Sequence, residues 1–169
     1  MDTLMEGLKI RFVKEQDLNG CYEIESASYT TEGATREKIK TRIRLFPGGF
    51  LVADFKGSLI GMINSASTNT EDLTNEELKD MIGHHNNGKN TVIFSLAVLP
   101  EFRGKGISKK LMEKFIEVSK KLKKKKILLL CKSDLIPYYQ KFGFFDLGKS
   151  KSRHGGFKWH VMCLPLNAE

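Results

Sequence analysis

Apolar and polar residues alternate in blocks along the first half of the chain, and the block lengths predict strands and helices. Short apolar runs predict strands at residues 8–13, 50–55 and 58–65. The last two runs join through Lys56-Gly57, a dipeptide typical of a hairpin. Apolar residues at helical spacing predict helices at 17–29, with Asp17 as the N-cap, and at 35–45.

The second half of the chain predicts a strand, a long helix and another strand. Residues 91–98 and 127–131 are apolar enough for buried strands. The apolar face of the helix between them recurs every three or four positions, at Ile107, Leu111, Phe115, Val118 and Leu122. A short helix from Pro137 and strands at 144–148 and 157–164 follow. The order predicts an α/β (α+β) protein, with a mixed sheet and one strand–helix–strand crossover.

Polar residues dominate 66–90, between the hairpin and the central strand. Thr74-x-x-Glu77 is a capping box that predicts a short helix, and residues 84–88 predict an exposed loop. We interpret this segment as a lid or as a surface excursion. The length of 169 residues, without a repeat or a long linker, predicts a single domain over 1–169.

Charge is distributed unevenly along the chain, whose formal net charge is +8. Residues 1–100 contain 11 Lys and Arg against 14 Asp and Glu, whereas residues 101–169 contain 17 against 6. An anionic ligand is therefore expected at the second half. There is no apolar run long enough for a membrane span, no secretory signal and no zinc or disulfide spacing. These features favour a reducing, cytoplasmic compartment and predict no metal site and no membrane partner.

The segment from Ser95 to Ser108 predicts a strand, a glycine loop and the start of the long helix. Gly104 and Gly106 permit a tight turn, and the N–H groups of the loop and helix N-terminus form an anion cradle. Basic side chains surround it, at Arg103, Lys105, Lys109 and Lys110. The pattern matches neither the P-loop nor the G-x-G-x-x-G fingerprint. A phosphate or pyrophosphate ligand is predicted, with a simple glycine turn before a basic helix as the alternative.

Three motifs in this order resemble the GCN5-related N-acetyltransferase (GNAT) family. Residues 103–108 resemble its Q/R-x-x-G-x-G/A pyrophosphate loop, 96–98 its splayed central strand, and 138–144 its Y-x-x-x-G-F segment. The resemblance runs from about Lys9 to Leu166 and implies the GNAT fold, with acetyl-CoA as cofactor. The positions it implies for acetyl-CoA binding are Leu96, Ala97, Val98, Arg103, Gly104, Lys105, Gly106, Ile107, Ser108 and Lys109. Ser108 stands where the pattern prefers Gly or Ala, and its small side chain is expected to preserve phosphate binding.

Within the family, the chain most resembles the arylalkylamine (serotonin-type) N-acetyltransferases. The similar runs are residues 95–103 and 129–144. That subfamily relays the proton of its amine through two strand histidines, and the corresponding positions here are Val92 and Phe94. Neither side chain accepts a proton, so the substrate class is not carried over with the fold.

The resemblance implies two catalytic candidates, Tyr139 as general acid for the leaving thiolate and Glu25 as base. A phenol is protonated at neutral pH and is able to donate to sulfur; the alternative for Tyr139 is a packed aromatic. The alternative for Glu25 is a solvated helix carboxylate, and His154, His160 or a bound water are other candidate bases. Cys131 lies in an apolar strand without an adjacent histidine and is interpreted as core.

The function implied is acetyl transfer from acetyl-CoA to a primary amine by direct attack in a ternary complex. A small-molecule amine is favoured over a peptide. Two alternatives stay open: a catalytically silent acyl-CoA sensor and a basic module that binds RNA or ribosomes. The lysine run at 120–126 is interpreted as a solvated helix end, with a nucleic-acid contact as the alternative. No oligomeric state is indicated.

Overall fold

The computed structural model describes residues 5–152 and 154–166. The strands of the described residues are β1 (Leu8–Phe12), β2 (Leu51–Phe55), β3 (Ser58–Thr68), β4 (Asn90–Val98), β5 (Lys126–Cys131), β6 (Phe145–Lys149) and β7 (His160–Pro165). The helices are α1 (Leu18–Ser28), α2 (Arg36–Leu45), α3 (Ile107–Lys121) and α4 (Ile136–Gln140). The strands form one sheet in the order β1-β2-β3-β4-β5-β7-β6, in which only β4 and β5 are parallel among the described strands.

Helices cover both faces of this sheet. The apolar stripe of α3 packs on one face, through Ile107, Leu111, Met112 and Phe115. Helices α1 and α2 pack on the other face through Cys21, Ile24, Ile39 and Ile43. The β4–α3–β5 unit is the predicted crossover, since parallel neighbours need a connection that crosses a face of the sheet. The predicted mixed α/β fold class is therefore confirmed.

Two strand boundaries differ from the sequence prediction by more than one residue. Strand β3 continues to Thr68, because its polar residues are satisfied inside the fold; the Ser65 hydroxyl, for example, donates to the Gly49 carbonyl at 2.8 Å. Strand β7 begins only at His160, because Gly155 and Gly156 adopt positive φ and form a separate turn before it. The polar residues near the end of β3 thus made the predicted strand too short. The aromatic residues before β7 made that predicted strand begin too early.

Asp17 does not cap α1 in the predicted way. Its backbone is helical, and its side chain makes no capping hydrogen bond. The carboxylate instead accepts from the Lys14 backbone N–H at 2.7 Å and from the Arg11 guanidinium at 2.9 Å. The acidic residue therefore ties β1 to the turn before α1.

The segment between β3 and β4 packs on the sheet. A short 3₁₀ helix spans Glu76–Asp80, and Asn75 rather than Thr74 is its cap, accepting from the Glu77 N–H at 2.9 Å. The apolar residues of the whole segment, Leu73, Leu78 and Met81, are buried in a cluster with Phe46, Val92 and Leu128. The segment is therefore a fixed wall on the α2 face.

One lysine of the basic run is structural. Lys124 is 2% exposed, and its Nζ donates to the Ser67 hydroxyl at 2.6 Å and to the carbonyls of Gly88 and Asn86 at 2.7 and 3.0 Å. It joins the end of α3 to the loop before β4. The prediction of a solvated helix end is wrong at this position, because three acceptors converge on one buried ammonium.

No helix among the described residues has the length and apolarity needed to cross a bilayer. Within the same residues, no group of His, Cys, Asp and Glu side chains has an arrangement that could hold a metal ion.

Candidate active site

The central strands separate halfway along the sheet. Strands β4 and β5 pair only as far as Ile93 and Leu129. At this point the register between β3 and β4 shifts, so that Phe94 is an extra residue on β4. Beyond it, residues 95–98 pair with β3 on one side and with no described strand on the other. The splay therefore leaves backbone groups of β4 facing an open groove.

Two cavities meet at the splay. One, of about 560 Å³, lies between α1, α2, the segment before β4 and the end of β5. The other, of about 540 Å³, lies between the end of β4, the glycine loop, α3 and α4. The residues that line both are Leu96, Val98, Arg103, Leu135 and Tyr139. We call the first the acceptor cavity and the second the α3 groove.

The glycine loop has the geometry of an anion cradle. Gly104 and Gly106 have φ of +79° and +82°, a backbone region that other residues adopt only with strain. Gly106 precedes α3 without a side-chain cap, so the first N–H groups of the helix keep their hydrogen-bonding capacity for a ligand in the α3 groove, which Gly106, Ile107 and Ser108 line. Ile107 is buried in the core, whereas Lys105 and Lys109 are exposed beside the loop.

Two polar side chains of the loop contact other elements. The guanidinium of Arg103 donates to the Val98 carbonyl at 2.9 Å and to the Ser28 hydroxyl at 3.3 Å. The hydroxyl of Ser108 lies 2.7 Å from that of Tyr138. Arg103 therefore sits at the junction of the two cavities, and Ser108 joins α3 to α4.

Tyr139 lies where the two cavities meet. The residue is 8% exposed, and its ring packs edge-on against Tyr138 and Phe144 with centroids 5.2 and 5.7 Å away. Burial raises the pKa of the phenol, so it is protonated at neutral pH. No described residue forms a hydrogen bond with the hydroxyl. The group is therefore free to donate to a ligand.

Glu25 lies in the wall of the acceptor cavity and not on the solvated face of α1. The residue is 2% exposed. Its Oε2 accepts from the Ala34 N–H at 2.8 Å, whereas its Oε1 is buried without a hydrogen-bond partner. A carboxylate oxygen in this state is able to accept from an ammonium group or to take a proton.

The two candidate histidines have different positions. His154 lines the acceptor cavity, but its Nδ1 faces Glu76 Oε1 at 2.8 Å and its Nε2 faces the Glu32 carbonyl at 2.9 Å. Both ring nitrogens are thus engaged with oxygen atoms of the fold, which makes His154 a structural part of the cavity wall. His160 contacts Asp146 at 3.2 Å between β7 and β6 and lines neither cavity.

The positions of the expected proton-relay histidines are apolar in three dimensions as well. Val92 and Phe94 both line the acceptor cavity, and the Phe94 ring lies under the Arg42 guanidinium at 4.4 Å. Cys131 also lines the cavity, and burial raises the pKa of its thiol to about 12. A thiol that stays protonated is a poor nucleophile.

Arg42 was not identified from the sequence as a site residue. Arg42 is 2% exposed on α2, and Glu32 follows α1 with its Oε2 accepting from the Lys132 ammonium at 2.9 Å. Both residues line the acceptor cavity. Among the described residues, the buried side-chain polar atoms without a partner are Glu25 Oε1, Glu32 Oε1 and Arg42 Nε. All three therefore belong to one cavity.

Comparison with known proteins bears on this arrangement. A sequence model of the Acetyltransferase (GNAT) family matches residues 18–144. Serotonin N-acetyltransferase of Mesocricetus auratus is 26% identical over 145 residues, covering 83% of this chain and 69% of that protein.

Solved structures share the fold at low identity. The loading GNATL domain of CurA from Lyngbya majuscula superposes with a TM-score of 0.84 at 14% identity, covering 94% of this chain and 97% of that one. Naa50 of Arabidopsis thaliana, solved with the bisubstrate analogue CoA-Ac-MVNAL, has a TM-score of 0.75 at 16% identity, covering 95% and 99%. Each likeness establishes the fold.

Proposed function

The chain belongs to the acetyltransferase (GNAT) family, and we propose that it is an acetyl-CoA-dependent N-acetyltransferase acting on a small primary amine. The amine attacks the acetyl group directly while both substrates are bound. The observation that carries this proposal is the meeting of the α3 groove and the acceptor cavity at the Tyr139 side chain.

The α3 groove fits coenzyme A. The unpaired side of β4 at 94–98 offers backbone groups to an extended pantetheine arm, and the loop around Gly104 and Gly106 offers N–H groups to a pyrophosphate. Lys105 and Lys109 add positive charge beside it. The Naa50 structure, with its CoA-containing analogue, supports the choice of ligand. Acetyl-CoA supplies an activated acyl group, and this chain orients it towards the acceptor cavity.

Two side chains at the junction handle protons in this proposal. Glu25 Oε1 takes the proton of the bound ammonium, directly or through one water, so that the amine becomes nucleophilic. Tyr139 Oη donates a proton to the sulfur as the C–S bond breaks, since burial keeps the phenol protonated. The second proton, which the nitrogen loses as it becomes an amide, returns to the Tyr139 oxygen. In this proposal, a buried carboxylate is the base, because Val92 and Phe94 stand at the positions where a histidine could act.

The size and the walls of the acceptor cavity favour a small molecule over a peptide. Leu73 and Leu78 of the segment before β4 form one wall, and His154 and Trp159 form another. The volume of about 560 Å³ is in the range of small-molecule sites.

The cysteines at 21, 131 and 163 are free and buried, which supports a reducing, cytoplasmic compartment.

Thiol release from acetyl-CoA, measured with a panel of arylalkylamines, polyamines, amino acids and N-terminal peptides, tests the proposal. Amine-dependent release is expected with at least one small amine. Glu25→Gln is expected to lower kcat by about 100-fold and to leave the Kd of acetyl-CoA within about twofold. Acetyl-CoA binding without release for any amine would support the silent sensor. Salt-sensitive RNA binding without acetyl-CoA binding would support the RNA-binding module.

A further inference from the structure

We propose that the acceptor amine also carries a carboxylate, and that this carboxylate forms an ion pair with Arg42 in the acceptor cavity. The inference rests on the proposed function and narrows its substrate class to amino acids and related zwitterions. It excludes simple arylalkylamines as the preferred substrates.

Arg42 is a buried cation with unused hydrogen-bonding capacity. Its Nη1 donates to Asn64 Oδ1 at 3.1 Å and its Nη2 to the Lys79 carbonyl at 3.3 Å, while its Nε has no partner. Both partners are neutral oxygens. No described carboxylate lies within 4 Å of the guanidinium, which is 2% exposed.

An uncompensated charge at this depth is costly. Burial lowers the pKa of Arg42 to about 10, against smaller opposing effects of the Glu25 and Asp80 carboxylates, and the group remains charged at neutral pH. A buried cation normally has an anion in direct contact, because the weak attraction of a distant charge does not offset the free energy lost when the cation leaves water. A guanidinium matches a carboxylate in shape and forms paired hydrogen bonds with it. The missing partner therefore has the chemistry of a carboxylate.

The neighbouring lysines of the same wall already have counterions. Lys38 pairs with Asp80 at 3.6 Å, and Lys79 pairs with Glu76 at 3.3 Å. Of the cations that α2 and the 3₁₀ helix direct to the cavity in the described structure, Arg42 alone has no paired carboxylate. The single unpaired positive charge of Arg42 is therefore matched by one negative charge on the ligand.

Two buried carboxylates also line this cavity, Glu25 and Glu32. Glu25 Oε1 and Glu32 Oε1 are buried without partners. No described cation lies within 4 Å of the Glu25 carboxylate, so Glu25 and Arg42 line one cavity without forming an ion pair. A ligand with an ammonium at one end and a carboxylate at the other satisfies both groups at once.

The part of the cavity that is not charged is apolar. Phe94, Leu129, Leu130 and Trp159 line it together with the charged residues. The space therefore accommodates an apolar or aromatic side chain of the acceptor.

The test uses pairs of amines that differ only by the carboxylate, such as tryptophan with tryptamine, phenylalanine with 2-phenylethylamine, and 4-aminobutyrate with propylamine.

In the wild-type protein, the carboxylated member of at least one pair is expected to have a kcat/KM at least about tenfold higher, the contribution of one charge-assisted contact. If only the decarboxylated members are acetylated, the inference is wrong and the proposed function stands. If no amine is acetylated, the proposed function itself fails.

Variants of Arg42 separate binding from structure. Arg42→Gln is expected to lower kcat/KM about tenfold or more for the carboxylated member and less than about twofold for its partner, with Arg42→Lys intermediate. Arg44→Gln, on the exposed side of α2, is the control and should change neither. An equal loss for both members of a pair would overturn the inference.

A binding measurement covers the case in which Arg42→Gln does not fold. Thermal shift of the wild-type protein is compared for N-acetyl-tryptophan and N-acetyl-tryptamine, the two products of one pair. The carboxylated product is expected to stabilise the fold at lower concentration. Stabilisation by N-acetyl-tryptamine alone would contradict the proposed ion pair.

Discussion

The side-chain hydroxyl oxygens of Ser108 and Tyr138 lie 2.7 Å apart, which hydrogen-bonds the first turn of α3 to α4. Ser108 therefore has a partner within the fold, and anion binding at this loop is expected to depend on backbone N–H groups. Ser108→Ala is expected to change the Kd of acetyl-CoA by less than about threefold in isothermal calorimetry, below the value of one hydrogen bond. A loss above about tenfold would instead identify the hydroxyl as a phosphate ligand.

Gly104 offers a matched test of the loop, because Gly57 in the β2–β3 hairpin has a similar backbone. Their φ angles are +79° and +91°, and a Cβ added to either would meet no atom within 4 Å. Gly104→Ala and Gly57→Ala are each expected to lower the free energy of unfolding by about 1–2 kcal/mol. Gly104→Ala alone should raise the KM for acetyl-CoA. Similar KM values for the two variants would remove the loop from the cofactor site.

Tyr139→Phe tests the general acid. Phenylalanine keeps the ring packing against Tyr138 and Phe144, and the hydroxyl that it removes has no described protein partner. We expect kcat to fall at least about tenfold, since a positioned acid contributes this much or more. The melting temperature should stay close to that of the wild type. Turnover within about twofold at neutral pH would assign Tyr139 to packing alone.

Lys124→Met tests the structural lysine. It removes the ammonium donor of the Gly88 and Asn86 carbonyls and leaves them the longer bonds from the Ser67 hydroxyl, at 3.4 and 3.3 Å. We expect a loss of about 1–3 kcal/mol in unfolding free energy. Lys125→Met, at an exposed position of the same run, should change stability by no more than about 0.5 kcal/mol. Chemical denaturation measures both variants. Equal effects would mean that Lys124 does not anchor the loop.

His84 predicts a pH dependence of stability. Its Nδ1 accepts from the Ser67 N–H at 3.0 Å and its Nε2 contacts Asn86 Oδ1 at 2.9 Å, an arrangement that requires the neutral ring. Burial lowers the pKa of His84 below its usual 6.5. The unfolded chain therefore binds the proton first, so the contribution is complete above pH about 6.5 and is lost as pH falls through the lowered value.

Denaturation of His84→Gln from pH 8 to 5 checks this dependence. The variant should lack the part of the decline that begins near pH 6.5, whereas His85→Gln, at an exposed position, should keep it. Parallel pH profiles for wild type and His84→Gln would show that the ring does not titrate with folding.

Local patterns were sufficient for most of the fold. The stripe from Ile107 to Val118 placed α3 correctly, because burial of one helix face sets the spacing. Polarity misled where tertiary partners exist: Ser65 and Ser67 lie inside β3, and Asp17 binds Arg11 instead of capping α1. Their partners lie in other elements, so no local pattern contains them.

The cavity was harder to predict than the loop. One feature of the sequence indicated that Arg42 is buried: it lies three residues after Ile39 and four before Phe46, on the buried side of α2. A long cationic side chain at such a position usually extends to solvent, and nothing in the chain predicts that its neighbours close over it.

The sequence by itself determined the order of strands and helices, the glycine loop at 103–108 and the motifs of the family. These features depend on residue period and on backbone conformation, which act over short distances along the chain. The tertiary structure alone decided that Tyr139 stands between two cavities and that Glu25 and Arg42 share one without pairing. Whether a buried charge has a partner depends on distances between separate elements, and those distances exist only once the chain has folded.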